Sequence, residues 1–504
     1  MFNTAIKPPV SLFFLLGIAC QLFAQSEKPN VLFIAVDDLR PELSIFGSRA
    51  ITPNIDRLAE MGLLFNRAYC NQAVCGASRI SLLTGLYPEF TGERSFHVTN
   101  WRERLPDVVT LNQMFMDNGY ATVGVGKIYH KWSGSELDPK HWTDYVEPEG
   151  VQYANESTME MAKQQAEANG KELSRGPLTE AGTSEGAEDR YLDGVRAAEG
   201  ARLIQELARS DQPYFLGVGF SKPHLPFTSP KQFWDLYNRD DFKMPANSGV
   251  PPGYPEYATN PNPEEMRHYS DTPFLGYNEA GEAAVYPLEF PEELNKRLIH
   301  GYHAAVSYTD RNVGKLLEAL EASGEADNTV IVFWADHGWK LGDHSTWCKH
   351  TNFECDTRVP LIVVDPRKPS AHGTTDALVE LVDIYPTLAE LCGLQGPKIL
   401  QGKSLVPVLN NPAKSLRDYA YSSYPHKDES IIGHSIRNKR YRYTEWWDSE
   451  SDNILAAVLT DLNKDPGETT NMLIRKPKLS KRFSKDLKEI VFKARLEPSS
   501  CYCK

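Results

Sequence analysis

The chain has 504 residues, with 54 Lys and Arg against 67 Asp and Glu, and therefore a formal charge of −13. A content of 41% hydrophobic and 24% charged residues is that of a folded globular protein and excludes wholesale disorder. The acidic balance argues against a nucleic-acid binder, whose affinity would depend on a basic surface, and on its own it also argues against polyanionic substrates.

The first 24 residues have the pattern of a secretory signal peptide. Lys7 is the only charged side chain before Ser26, and it precedes an almost wholly apolar run over residues 10–19. A short apolar run behind one positive charge, ending at small residues, is typical of a cleaved signal, and we predict cleavage after Ala24. No other window reaches the ~18 apolar residues of a transmembrane helix. We therefore predict a secreted or periplasmic protein, with a lipid anchor on Cys20 as the alternative.

Export changes the interpretation of the cysteines. Loss of Cys20 with the signal leaves seven, at positions 70, 75, 348, 355, 392, 501 and 503. Disulfides use cysteines in pairs, so an odd number in an exported protein indicates a thiol with another role. Setting Cys75 aside leaves six, a number that can pair.

Apolar runs and helical periodicities alternate along the chain, which predicts an α/β fold with a large, mostly parallel sheet between helices. We predict strands over 30–36, 120–125, 214–220 and 329–335, and helices over 52–65, with a turn at Gly62, over 107–117 and over 295–323. Residues 150–188 and 251–263 are polar or Pro-rich, and we predict surface loops there.

The pattern changes after about residue 410. Short polar and aromatic strands follow, such as 441–444, and then a basic amphipathic helix near 479–493. We therefore predict three parts: a signal peptide over 1–24, a main domain over 25–410, and a small C-terminal α+β subdomain over 411–504 with a short antiparallel sheet.

Two of the predicted strands end in oxygen-donor side chains. Asp37 and Asp38 follow the strand 30–36, and Asp336 and His337 follow the strand 329–335. Functional groups of open α/β sheets gather at the carboxyl ends of strands, where three carboxylates would repel one another unless a cation were bound. Oxygen-rich coordination favours Ca²⁺, with Mg²⁺ as the alternative. The competing interpretation is that each Asp caps the turn or helix that follows.

The segment from Cys75 to Gly85 carries the most specific pattern. Helical spacing places Arg79 one turn after Cys75 on the same face, and a reactive group at a helix N-terminus gains from the local positive potential. The alternative is a disulfide between Cys75 and the nearby Cys70.

This segment resembles the signature Cys-x-(Pro or Ala)-x-Arg of the type I sulfatases, which depend on formylglycine and have an alkaline-phosphatase-like fold. The resemblance extends over residues 30–472 and is greatest to the iduronate-2-sulfatase group. It rests on an ordered set of motifs: Asn30-Val31-Leu32-Phe33, Asp37-Asp38, Thr52-Pro53-Asn54-Ile55-Asp56, Cys75 to Gly85, Gly124-Val125-Gly126-Lys127 with His130, Lys222-Pro223-His224-Leu225-Pro226-Phe227, Ala335-Asp336-His337-Gly338-Trp339, Lys349, Asp465-Pro466-Gly467-Glu468 and Asn471.

The resemblance implies a sulfuric ester hydrolase with one divalent cation. A formylglycine-generating enzyme would oxidise Cys75 to an aldehyde, and one hydroxyl of the aldehyde hydrate would attack sulfur while the other later expels sulfate. The residues implied as metal ligands are Asp37, Asp38, Cys75, Asp336 and His337. Those implied to bind the sulfate oxygens are Arg79, Lys127 and Lys349, and those implied in proton transfer are His130 and His224.

The implied substrate is a sulfated carbohydrate, with a uronate 2-O-sulfate or an algal polysaccharide as candidates. We expect Lys127, His224, Trp339, Lys349 and His350 to contact it, although Trp339 could equally pack inside, and His350 replaces an aromatic Tyr of the iduronate-2-sulfatase group. Two alternatives are a phosphomonoester or phosphonate hydrolase of the same superfamily and a non-catalytic glycan-binding protein. For eight further histidines we predict structural roles: 97, 268, 300, 303, 344, 372, 426 and 434.

Overall fold

The computed structural model describes residues 28–95, 101–130, 138–168, 175–182, 188–260, 265–272, 290–368, 371–426 and 429–496. The predicted signal with Cys20, and also His97, Cys501 and Cys503, lie outside these described residues. Among the described residues, no helix is both long and apolar enough to cross a membrane.

The helices differ widely in length, from single turns to the 32 residues of α9. They are α1 (Pro53–Met61), α2 (Cys75–Thr84), α3 (Pro88–Thr91), α4 (Trp101–Arg104), α5 (Leu111–Asp117), α6 (Ser157–Ala168), α7 (Leu192–Leu207), α8 (Lys231–Trp234), α9 (Glu292–Ser323), α10 (Glu354–Thr357), α11 (Ile384–Leu391), α12 (Val406–Leu409) and α13 (Pro477–Arg495).

The strands belong to one large sheet, one four-stranded sheet and several short ribbons. They are β1 (Asn30–Val36), β2 (Leu63–Phe65), β3 (Ala68–Tyr69), β4 (Ala121–Gly126), β5 (Asp144–Val146), β6 (Thr179–Gly182), β7 (Tyr214–Phe220), β8 (Phe227–Pro230), β9 (Thr329–Ala335), β10 (Lys340–Leu341), β11 (Trp347–Cys348), β12 (Arg358–Val359), β13 (Leu361–Val364), β14 (Gly373–Thr375), β15 (Val379–Glu380), β16 (Ala420–His426), β17 (Ile431–Arg437), β18 (Tyr441–Asp448) and β19 (Ile454–Asp461).

The large sheet has the strand order β14-β2-β13-β9-β1-β7-β4-β5. The strands from β9 to β5 run parallel, whereas β13 is antiparallel to both of its neighbours. Every residue of β1, β7 and β9 is buried. Because successive side chains of a strand point to opposite faces, complete burial means that both faces of the sheet are covered. The predicted alkaline-phosphatase-like α/β architecture is confirmed.

Three of the sequence-based element predictions need correction. The helix predicted over 52–65 ends at Met61, and residues 63–65 form β2, which pairs with β13 and β14 in the large sheet. The helix predicted from residue 107 begins at Leu111, because the Thr110 hydroxyl caps it by accepting a hydrogen bond from the Gln113 amide at 3.4 Å. The segment 150–188 was predicted to be a surface loop but contains α6 and β6, and α6 buries Thr158, Ala162 and Ala166. The small size of the buried side chains of α6 gave little apolar periodicity in the sequence.

The C-terminal region forms an antiparallel meander of β16 to β19 with α13 packed against it. A small apolar cluster joins the sheet to the helix through Tyr421, Ile436, Phe483, Leu487 and Val491. The predicted small antiparallel sheet with a following amphipathic helix is therefore present.

Candidate active site

The sheet brings the two strand-end pairs together. The strands β1 and β9 are neighbours in parallel register, with Val36 opposite Ala335, so the residues that follow each strand emerge side by side. The Asp38 amide donates a hydrogen bond of 3.1 Å to Asp336 Oδ1 across this junction. Asp38 has a φ of 60°, which turns the chain sharply away from the sheet.

Cys75 is the first residue of α2, a helix whose ten residues are all buried. The Ser78 hydroxyl donates to the carbonyl oxygen of Asp336 at 2.6 Å and so fastens the helix to the end of β9. His337 Nε2 lies 3.2 Å from Cys75 Sγ. Burial, together with the charge of Asp37, raises the pKa of the Cys75 thiol.

The described cysteines do not form disulfides. Cys70, Cys75, Cys348, Cys355 and Cys392 are all free thiols, so the alternative of a Cys70–Cys75 disulfide is wrong. The expectation that the six cysteines other than Cys75 could pair also fails for the four of them that lie among the described residues.

Four of the five predicted metal ligands form one compact group. The ligand atoms of Asp37, Asp38, Cys75 and His337 all lie within 4.8 Å of one another, and all four residues are buried. The Oδ2 atom of Asp38 is buried without a hydrogen-bond partner. Burial and the neighbouring carboxylates raise the pKa of Asp38 against the opposing charge of Lys349. An orphaned carboxylate oxygen within a mainly oxygen donor set fits a hard divalent cation.

Asp336, the fifth predicted ligand, stands beside this group. Its Oδ1 accepts the amides of Asp38 at 3.1 Å and His337 at 2.9 Å, while its Oδ2 accepts from Arg79 Nε at 2.9 Å. Both oxygens are therefore fixed in direction, and Oδ1 is 3.7 Å from His337 Nε2.

Arg79 is packed among the carboxylates. Its side chain has no exposed surface, and it donates to Asp336 Oδ2, to Asp37 Oδ1 at 3.3 Å and to the carbonyl oxygens of Lys127 and Ile128. Arg79 therefore orients the two carboxylates, and its contact with sulfate stays a prediction.

Lys127 and Lys349 each form an ion pair with one of the two carboxylates that follow β1. Lys127 Nζ forms an ion pair with Asp37 Oδ2, and Lys349 Nζ lies 2.7 Å from Asp38 Oδ1. Burial disfavours the Asp37 carboxylate, but the charges of Lys127, His224 and Arg79 outweigh burial and hold its pKa well below the ordinary value. The two ammonium groups thus lie where an anionic group beside Cys75 would be stabilised.

His130 and His224, the two histidines predicted to transfer protons, lie close enough to Lys127 and Lys349 to be affected by their charges. His224 Nδ1 is 2.6 Å from the carbonyl oxygen of Leu225, which directs Nε2 toward Asp38 Oδ2 at 3.9 Å. Burial, and then the charge of Lys349, lowers the pKa of His224 to about 3. Burial and the charge of Lys127 likewise lower the pKa of His130.

Trp339 and His350, which were both predicted to contact the substrate, lie in different surroundings. Trp339 has no exposed surface, and its ring packs against Phe227 and lies 5.1 Å from Lys349 Nζ. This burial favours the packing alternative for Trp339, and its contact with substrate stays a prediction. His350 lies beside Lys349 and stacks on Tyr424 of β16, with ring centroids 5.8 Å apart.

Sequence reasoning missed several residues that complete the site. Glu265 contacts Lys349 at 2.8 Å, and no motif distinguished it from other surface glutamates. Lys222 stands in a recognised motif but escaped notice; its Nζ donates to the carbonyl oxygens of His224 at 2.9 Å and Pro226 at 2.7 Å and so shapes the His224 loop. Lys340 Nζ donates to the carbonyl oxygen of Lys349 at 3.1 Å and pairs with the buried Asp356.

The C-terminal sheet also holds the loop that carries Lys349. Asn352 Nδ2 donates to the carbonyl oxygen of Gly433 at 3.2 Å, and Glu354 pairs with Arg442 at 2.6 Å and Arg437 at 3.5 Å. These contacts fix residues 347–357 between the two sheets.

Seven further described histidines, all predicted to have structural roles, contact protein groups. The partners are Arg267 for His268, the Trp234 carbonyl for His300, the Ile299 carbonyl for His303, the Phe353 ring for His344, the Glu60 carbonyl for His372, Trp446 for His426 and the Tyr421 hydroxyl for His434.

The chain is similar to known proteins over nearly all of its described residues. The chain matches the family model described as Sulfatase over residues 29–394, and the model described as N-sulphoglucosamine sulphohydrolase, C-terminal, over residues 342–496. Among curated relatives, the iduronate 2-sulfatase of Homo sapiens is 33% identical over 530 aligned residues, which cover 91% of this chain and 93% of that protein.

Two solved structures share the fold at lower identity. One is a protein in complex with its substrate D-glucosamine-2-N,6-O-disulfate, with a TM-score of 0.73, 23% identity, and coverage of 94% of this chain and 100% of that one. The other is the phosphonate monoester hydrolase of Agrobacterium radiobacter, with a TM-score of 0.71, 23% identity, and coverage of 94% and 98%. The family match and the relative at 33% identity establish that this chain belongs to the sulfatase family and is a sulfuric ester hydrolase.

Proposed function

We propose that the protein is an exported sulfatase that removes sulfate from a sulfated glycan, using one divalent cation and a formylglycine made from Cys75. The observation that carries the proposal is the grouping of Cys75 with Asp37, Asp38 and His337 at the buried start of α2. A formylglycine-generating enzyme in the producing cell would act on Cys75 during maturation. The signal over residues 1–24 would direct the chain out of the cell, with a lipid anchor on Cys20 as the alternative.

The cation would be held by Asp37, Asp38, Asp336 and His337 together with residue 75. The donor set is rich in carboxylate oxygens, which favours Ca²⁺ and accommodates Mg²⁺. When bound, the cation would supply a positive charge that lowers the pKa of a hydroxyl on residue 75. Arg79 keeps Asp37 and Asp336 in fixed orientations for this purpose, through the contacts described above.

The hydrated formylglycine would supply two hydroxyls on one carbon, one to attack sulfur and one to expel sulfate as the aldehyde re-forms. Lys127 and Lys349 would neutralise the charge on the sulfate oxygens, since both ammonium groups lie against the carboxylates next to Cys75. His224 would pass a proton to the departing sugar oxygen after Nε2 has first accepted one, because Nδ1 donates to the Leu225 carbonyl and Nε2, which faces the site, carries no proton in the neutral ring. His130 would serve the other proton transfer.

The proposed substrate class is supported by the substrates of similar proteins. The curated relative is an iduronate 2-sulfatase, and a structural neighbour was solved with a disulfated glucosamine as its substrate. We infer a sulfated sugar, with a uronate 2-O-sulfate and an algal polysaccharide sulfate as the candidates. Tyr424 and His350 would line the sugar side of the site, where the iduronate-2-sulfatase group carries Tyr in place of His350.

A second candidate is the hydrolysis of phosphate or phosphonate esters. The observation that favours it is the shared fold with a phosphonate monoester hydrolase.

We further propose the division into a catalytic domain over 25–410 and a C-terminal subdomain over 411–504, with the four-stranded sheet and α13 forming the latter.

Mass spectrometry of the tryptic peptide that contains residue 75 tests the proposal, on protein made in a host with a formylglycine-generating enzyme. We expect an aldehyde at residue 75, and at least about 100-fold loss of sulfate release in Cys75→Ser. Cys392→Ser, another buried thiol, is the matched control and should keep its activity. An unmodified thiol at residue 75 in active protein, or full activity of Cys75→Ser, would contradict the proposed nucleophile.

A further inference from the structure

Glu265 places a carboxylate against the basic side of the site. Its Oε1 lies 2.8 Å from Lys349 Nζ and 3.7 Å from His350 Nε2, and its Oε2 lies 3.7 Å from His224 Nε2. The side chain of Glu265 is 21% exposed, whereas that of Lys349 is 1% exposed. Glu265 therefore lies on the open side of Lys349 and covers it.

The carboxylate is also close to the position of the reacting group. The ligand atoms of Asp38, His224 and Glu265 lie within 4.8 Å of one another, and Asp38 in turn belongs to the compact group that contains Cys75. Lys349 Nζ bridges the two carboxylates, at 2.7 Å from Asp38 Oδ1 and 2.8 Å from Glu265 Oε1. The charge of Lys349 is therefore shared between the carboxylates of Asp38 and Glu265. Its attraction for a bound ester is correspondingly weaker.

Sulfate and phosphate monoesters differ in charge more than in shape. Both are tetrahedral groups of similar size, but a sulfate ester carries one negative charge, whereas a phosphate ester with a second pKa near 6 carries close to two at pH 8. A fixed negative charge a few ångströms away repels the dianion about twice as strongly as the monoanion. Since a phosphonate hydrolase has the same fold, the backbone alone does not select sulfur.

We propose that Glu265 is a specificity-determining residue that favours singly charged esters, such as sulfates, over doubly charged phosphate monoesters. The proposal rests on the proposed function, because it takes the ester to bind beside residue 75 and Lys349. Glu265 makes no bond to the reacting atoms in this role. Its effect comes from its charge and from the share of the Lys349 charge that it occupies.

The test compares three 4-nitrophenyl esters at pH 8 with matured wild type and Glu265→Gln. The esters are the sulfate, the phosphate monoester, and a phosphonate monoester, which has a phosphorus centre but one negative charge. In Glu265→Gln we expect kcat/KM for the phosphate to rise at least about 10-fold relative to that for the sulfate. The ratio of phosphonate to sulfate should stay within about twofold, because charge and not the element is what Glu265 senses.

Two further variants separate charge from local structure. Glu265→Asp keeps the charge and should keep most of the discrimination, whereas Glu256→Gln, at an exposed glutamate, should behave as the wild type. A phosphate-to-sulfate ratio that is unchanged in Glu265→Gln would overturn the proposal. An equal rise for phosphate and phosphonate would overturn it as well, since that pattern would indicate the size or polarity of the pocket.

A binding measurement keeps this test independent of the nucleophile. In the Cys75→Ala background, titration calorimetry should show that adding Glu265→Gln tightens binding of the phosphate ester about 100-fold and of the sulfate ester about 10-fold, because the repulsion removed is twice as large for the dianion. This readout needs no turnover, so it still decides the role of Glu265 if the proposed chemistry at residue 75 is wrong. Equal changes for the two esters would count against the proposal.

Discussion

Arg79 shows how one buried side chain can organise several others. Its guanidinium group is fully buried and reaches Asp37, Asp336 and two backbone carbonyls at once. A planar group with five N–H donors in fixed directions can hold two carboxylates at a set separation, which a single ammonium group cannot do. Arg79 therefore fixes the relative positions of Asp37 and Asp336, two of the proposed metal ligands.

Arg79→Lys should keep the charge and lose the geometry. We expect Ca²⁺ affinity, measured by titration calorimetry, to fall at least about tenfold, and kcat/KM for a sulfate ester at least about 100-fold. The extent of aldehyde formation at residue 75 must be measured in the same sample, because Arg79 lies one helical turn after Cys75, where the proposed maturation would act. Arg417→Lys removes a comparable buried Arg that pairs with Glu380 and Asp383, and it should leave Ca²⁺ affinity unchanged. Wild-type Ca²⁺ affinity in Arg79→Lys would contradict the organising role.

The residues found from the sequence and those missed differ in a physical way. Asp37, Asp336 and Cys75 stand at strand or helix ends, where the local pattern alone indicates donor groups gathered at one edge of the sheet. Glu265 reaches the site from a polar segment 84 residues before Lys349, and nothing in its local sequence marks that contact. The pairing of Arg79 with Asp37 and Asp336 was not predicted for a related reason, because the sequence does not reveal which acceptors take up a buried donor.

At the scale of elements, α1 receives its N-terminal cap from a different helix. Thr52, the N-cap residue of α1, makes no capping hydrogen bond with its side chain. Instead Asp310 of α9 accepts the amides of Asn54 at 2.9 Å and Ile55 at 2.8 Å, as well as Asn54 Nδ2 at 2.7 Å. A carboxylate at a helix N-terminus satisfies free amides and complements the helix dipole. One side chain thereby fixes α1 against α9.

Asp310→Ala should uncap α1 and leave its amides buried without acceptors. We expect the free energy of unfolding to fall by about 1–3 kcal/mol, measured by chemical denaturation. Asp327→Ala, at an exposed aspartate after α9, is the matched control and should change it by less than about 0.5 kcal/mol. Asp310→Asn should recover part of the loss, because its amide oxygen can still accept the two backbone N–H groups. Equal stability of Asp310→Ala and the control would show that the cap is dispensable.

How well each element was predicted depended on where its stabilising contacts lie. The strands 30–36, 214–220 and 329–335 agree with β1, β7 and β9, because a strand buried on both faces requires an unbroken apolar run. The helix α6 was missed, since it buries only small side chains against its neighbours. Cross-chain features such as the Asp310 cap leave no local signal at the helix that they stabilise.

At the scale of the whole molecule, charge is unevenly distributed. Residues 475–496 carry nine Lys and Arg against two acidic residues, a net +7 in a chain whose total is −13. Helix α13 buries its apolar face, including Phe483 and Leu487, and exposes Lys481, Lys485 and Lys488 on the outside. Local fields of this kind attract polyanions even when the net charge repels them. The inference from composition against anionic partners is therefore too coarse.

We expect the enzyme to bind dextran sulfate at low salt, and the binding to weaken steeply as salt is added. Combined substitution Lys481→Glu, Lys485→Glu and Lys488→Glu should weaken this binding at least about tenfold in a fluorescence titration. The same change in charge at three other exposed lysines, Lys398, Lys403 and Lys414, is the control and should have a much smaller effect. Equal losses in the two triple variants would mean that only total charge matters.

The loop over residues 347–357 has a consequence for how such an enzyme can diversify. Lys340 holds this loop from the side of the large sheet, and Asn352 and Glu354 tie it to the C-terminal sheet. The C-terminal sheet also supplies Tyr424, which stacks on His350. If Tyr424 and His350 line the sugar side as proposed, exchange of the C-terminal sheet between relatives would alter that side of the pocket while the groups around Cys75 stay in place. A change of substrate preference would then require no rearrangement of the residues proposed to carry the chemistry.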